Sequence, residues 1–77
     1  MNFYEETFLN IIRLNIKLRR MELGMTQAKL AEIANLSCDY IAEIESLKKN
    51  KVFSILTLLN ICKSLKMNII DCIFVLN

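Results

Sequence analysis

The chain has 77 residues, 55% of them apolar, with one Gly, no Pro, no Trp and no His, and a formal net charge of +2. That length makes one domain, which buries only about 60% of the surface its unfolded form exposes. With so few turn formers, hairpin-rich folds are excluded in favour of helices joined by short polar links, so an all-α fold is expected.

Asn2 caps a first helix, expected over about 3–23, with Glu5 placed to complete a capping box and Gly24 as its left-handed terminator. Phe8, Ile12, Ile16 and Arg20 form one stripe on it, and Tyr4, Ile11, Leu14 and Leu18 a second. One stripe serves the core, so the second calls for a further partner. Thr26 caps a helix over about 27–34 with Ala28, Leu30, Ala31, Ile33 and Ala34 apolar. Asn35-Leu36 interrupts it, and Ser37 caps a third helix, about 38–46, with Tyr40, Ile41 and Ile44 inward. Two helices this short around so tight a bend are a helix-turn-helix, whose second helix enters a DNA major groove.

A basic loop, LKKNKVF (47–53), follows. Ser54 caps a fourth helix over about 55–65, with Leu58, Leu59, Ile61, Cys62 and Leu65 inward. Asn68, with Asp71 three residues on, gives a cap-like start to a fifth helix over about 69–76. That helix is apolar nearly all round, so it is buried on more than one side. Ile70, Ile73, Phe74 and Leu76 are the expected dimer seam.

Residues 13–77 hold ten bases and six acids, a balance compatible with an anionic partner. Cys38, Cys62 and Cys72 show no C-x-x-C spacing and have no His beside them, so no metal site is expected. No apolar run approaches the ~20 residues that span a bilayer, and no signal peptide is evident. A reducing cytoplasm is the expected location. Lacking His, a Gly-rich phosphate loop and a nucleophile beside a base, the chain is not expected to be an enzyme. No cofactor or small-molecule ligand is expected.

IKLRRMELGMTQAKLA (16–31), the NLS turn (35–37), YIAEIE (40–45) and LLNICKSLKMNIIDCIF (58–74) together resemble the Xre family, the lambdoid phage repressor and Cro type of helix-turn-helix protein. The resemblance covers some four-fifths of the chain and implies a five-helix, lambda repressor-like domain. Within that family the small build is similar to phage repressors and to restriction–modification controller proteins. The function so implied is a homodimeric, sequence-specific transcriptional regulator on a palindromic double-stranded operator. The alternative is an interaction module, antitoxin-like, that keeps the fold with weak or no DNA binding.

By position in the motif, Cys38, Asp39, Ala42 and Glu43 are the base readers. A carboxylate can accept from a cytosine amino group, and Ala42 can touch a thymine methyl. The resemblance assigns Gln27 to a phosphate at the start of the second helix, where amides and the dipole favour an anion. Thr26, Ser37, Ser46, Lys48, Lys49, Asn50 and Lys51 complete the expected phosphate contacts, with Arg13, Lys17 and Lys29 able to add to the rim. The resemblance also implies a buried ion pair between Arg20 and Glu45. Two departures stand out: Leu47 replaces a usual Gly, and the loop after Glu45 is about two residues longer than the common form.

Overall fold

The computed structural model describes residues 1–74, which form five α-helices and no strand among them: α1 (Phe3–Glu22), α2 (Gln27–Ala34), α3 (Cys38–Glu45), α4 (Ile55–Ser64) and α5 (Ile69–Ile73). Four of the five begin on a side chain that accepts from an amide the first turn leaves unpaired. Asn2 Oδ1 accepts from Glu5 N at 2.9 Å while Glu5 Oε1 accepts from Asn2 N at 3.0 Å, a complete capping box. Thr26, Ser37 and Ser54 do the same for Lys29, Tyr40 and Thr57. Asn68 does not: it makes no side-chain cap bond.

Left-handed residues end α1, α2 and α4. Gly24 has φ +69°, and an added Cβ would meet nothing within 4 Å, so backbone conformation rather than crowding calls for glycine. Asn35 and Lys66 take the same region at φ 56° and 53°. α5 ends differently, and earlier than expected. Phe74 is already extended, at φ −94° and ψ 146°, and Asn15 Nδ2 donates to the carbonyls of Cys72 (2.6 Å) and Phe74 (2.7 Å). Those bonds hold the C-terminal carbonyls of α5 against α1. Leu76, expected in the same helix, lies outside the described residues.

The core gathers Ile12 and Ile16 from α1, Leu30 and Ala31 from α2, Ile41 and Ile44 from α3, Leu58, Ile61 and Cys62 from α4, Leu65 beside it, and Cys72 from α5. Each buried aliphatic side chain contributes about 1.5–3 kcal/mol over its exposed state. Leu59 and Phe8, expected inward, are exposed, as are Ala28 and Ile33 among the apolar positions of α2. The apolar positions of α2 and α4 that reach the core lie on one arc of each helix, Leu30, Ala31 and Ala34 on α2 and Leu58, Ile61 and Cys62 on α4. The second stripe of α1 also faces outward, with Tyr4, Leu14 and Leu18 exposed.

Cys62 and Cys72 are buried beside one another, whereas Cys38 is exposed at the first turn of α3. Burial raises the Cys62 thiol and pushes that of Cys72 up to about 12, so both stay protonated and unreactive in the folded protein. An aromatic disulfide reagent at neutral pH should therefore label Cys38 quickly, and Cys62 and Cys72 only as the chain unfolds. Labelling of Cys72 as fast as Cys38 would contradict this packing.

Candidate nucleic-acid interface

The C-terminal end of α3 is held by two arginines from α1, seven residues apart. Arg20 forks onto Glu45, with Nε donating to Oε2 at 2.7 Å and an Nη to Oε1 at 3.0 Å. Its other Nη donates to Met25 O at 2.7 Å, closing the turn into α2. The bond to Glu45 raises the Arg20 pKa against the opposing effect of burial. Gln27 Nε2 also donates to Glu45 Oε1, at 3.1 Å, so the first turn of α2 joins the same carboxylate.

Arg13 overturns its placement on the DNA rim. Only 1% of it is exposed, and an Nη donates to Ile44 O at 3.0 Å. Its guanidinium lies 5.7 Å from the Phe53 ring centroid. Nε has no partner among the described residues, and desolvation lowers the Arg13 pKa. The guanidinium thus meets the negative end of the α3 dipole and an aromatic face in place of a carboxylate. A base between Ile12 and Ile16 is easily read as a surface residue; its seven-residue offset from Arg20 was the available signal.

With its inner side and C-terminal end occupied, α3 shows Cys38 and Asp39 fully and Ala42 and Glu43 partly. Thr26 and Ser37 each use a hydroxyl oxygen to cap a helix, and Ser46 Oγ accepts from Lys48 N at 3.3 Å. A hydroxyl that accepts internally still has a proton to donate, so all three can offer O–H to a phosphate. Gln27 likewise retains a second amide hydrogen beyond the one given to Glu45.

Lys48, Lys49 and Asn50 are exposed on the turn after α3, where Asn50 takes φ 51°. Lys51 is not free. Its Nζ lies 3.7 Å from Glu43 Oε2 and 5.4 Å from the Tyr40 ring centroid, folded back on α3. Lys29 sits 3.5 Å from Glu32, and Lys17 is exposed. The charge around α3 is therefore mixed, with lysines bracketing two acids.

Away from this face, Ile70 and Phe74 are 57% and 61% exposed. Ile73 instead packs against the core, so it offers little to a partner. Among the described residues no helix is long and apolar enough to cross a membrane.

The chain is similar to the solved structure of the wild-type restriction–modification controller protein C.Esp1396I. The two share 32% identity and a TM-score of 0.76, over 94% of this chain and 86% of that one. A tyrosine-to-alanine variant of that controller protein matches at 32% identity and a TM-score of 0.75, over 84% and 82% of the two chains. No family profile matches the sequence, and no curated protein matches it.

Breaking a buried ion pair strands its other half, at a cost of about 3–5 kcal/mol. Arg20→Met should lose that much in urea unfolding, and adding Glu45→Leu should restore part of it. A loss below about 1 kcal/mol would mean that the pair does not hold α3.

Proposed function

The chain belongs to the Xre-type helix-turn-helix family of restriction–modification controller proteins, and on that premise we propose how it regulates transcription. It binds a palindromic operator as a homodimer, each protomer placing α3 in a major groove. The observation that carries this is the asymmetry of α3. Its C-terminal end is fastened by Arg13 and Arg20, while Cys38 and Asp39 at its N-terminal end and Lys48 and Lys49 behind it face solvent.

In that pose Cys38, Asp39, Ala42 and Glu43 meet base edges. Thr26, Gln27, Ser37, Ser46, Lys48, Lys49, Asn50 and Lys51 meet the flanking phosphates, which fix register without reading sequence. Two α3 helices about 34 Å apart would enter successive major grooves on one face of the duplex. Occupancy then blocks or recruits polymerase.

The seam we propose for the dimer is the exposed Ile70 of α5 and Phe74 just beyond its end, extended by the exposed Leu14 and Leu18 of α1. Exposed apolar side chains near one another mark association surfaces. Phe74→Asp should give monomers by sedimentation equilibrium; a variant that stays dimeric would move the seam elsewhere.

A second reading, an interaction module without DNA, draws on Asp39 and Glu43, the two carboxylates of α3 that are not buried. One salt titration separates the two readings. Binding to duplex should weaken with salt, and changing Lys48, Lys49 and Lys51 together to Ala should flatten the log–log salt slope by about 0.9 for each phosphate no longer neutralised. An unchanged slope would remove the loop from the interface. No binding to any duplex at low salt would favour the interaction module.

A further inference from the structure

Two carboxylates on a helix that approaches a polyanion need an explanation, and one of them has a counter-ion built into the fold. The chain turns at Asn50, with φ 51°, and returns Lys51 to the outer side of α3. There the ammonium lies between Glu43 Oε2, at 3.7 Å, and the face of Tyr40, one turn earlier, at 5.4 Å. The side chains of Lys51 and Glu43 are 40% and 41% exposed, so the pair is wet and easily separated. Asp39 has no ion-pair partner among the described residues, but it lies in the first turn of α3, where the dipole favours an acid.

We propose that Glu43 sets base specificity and that Lys51 is its exchangeable counter-ion, passed to a DNA phosphate when Glu43 meets a cytosine. The idea rests on the DNA-binding reading above and names what that site selects. In the free protein the pair keeps this part of α3 close to neutral. On the duplex, a freed Glu43 carboxylate must find a donor.

Cytosine offers its N4 amino group in the major groove. Guanine presents only the acceptors O6 and N7 there, and would face the carboxylate with no proton between them. Adenine has one donor beside an acceptor, so it satisfies one carboxylate oxygen and repels the other. Lys51, released at the same moment, is already on the loop that flanks the groove and needs only a rotamer change to meet a phosphate. Exchange is favourable at cytosine and unfavourable at guanine, so the pair rejects as well as selects.

The test is selection of bound fragments from a random duplex library by the wild-type protein, Glu43→Gln and Glu43→Ala, followed by titration of duplexes carrying each base pair at the selected position. Wild type should enrich cytosine at one position per half-site, by about five- to a hundredfold over guanine. Glu43→Gln should move that preference to adenine, because an amide pairs with N6 and N7 together. Glu43→Ala should lose the preference and bind unselected duplex more tightly. Lys51→Ala should keep the cytosine preference and lower the salt slope by about 0.9. Identical base preferences in wild type and Glu43→Gln, with binding intact, would overturn the proposal and leave DNA binding standing. Failure of the wild-type protein to retain any duplex would overturn both.

Discussion

Polar side chains from α1 close the C-terminal ends of three other helices, and the arrangement of this fold depends on that. The last carbonyls of a helix have no partner within it, and cations near that end are favoured by the dipole. Arg13 donates to the end of α3, Arg19 Nε to Leu65 O at 3.0 Å beyond α4, and Asn15 to the end of α5. Asn60 of α4 treats α2 in the same way, donating to Ala34 O at 2.7 Å. Left-handed Gly24, Asn35 and Lys66 finish α1, α2 and α4 locally, whereas α3 and α5 end on extended residues. Here the first helix supplies much of that function from a distance.

For α3 the consequence is directional. The end nearest α1 carries the buried pair of Arg20 and Glu45, the Gln27 amide and the Arg13 guanidinium. A buried pair of this kind need not add net stability, because desolvation offsets its attraction. Its worth lies in geometry: a two-pronged bridge admits few relative orientations of the helices it joins. At the opposite end Ser37 caps the helix locally, and Cys38 and Asp39 are exposed. A reading helix needs this combination, since contacts with base edges tolerate little error in tilt.

Helix starts were legible in the sequence because capping is local: Asn2, Thr26, Ser37 and Ser54 lie three residues from the amides they satisfy. Gly24 was legible for the same reason. Arg20 with Glu45 came from family resemblance, since 25 residues separate the two and no spacing rule joins them. Asn15 and Asn60 carried no local signal, acting on carbonyls 57 and 26 residues away; Arg13, whose carbonyl is 31 residues away, offered only its seven-residue offset from Arg20. Lys51 was readable as a base after a reading helix, but its return onto Glu43 depends on the longer loop and on the left-handed turn at Asn50. The unwinding of α5 at Phe74 was hidden too, because the side chain holding its end belongs to α1.

Backbone amide exchange, followed residue by residue with and without a duplex, tests most directly whether α3 is gripped at one end and offered at the other. In the free protein the amides of Ile44 and Glu45 should exchange as slowly as those in the middle of α4, although helix ends ordinarily fray. Adding duplex should then slow exchange at Ser37 to Glu43 and along Ser46 to Lys51. Rapid exchange at Ile44 and Glu45 before DNA is added, or protection confined to α4 and α5 afterwards, would contradict it.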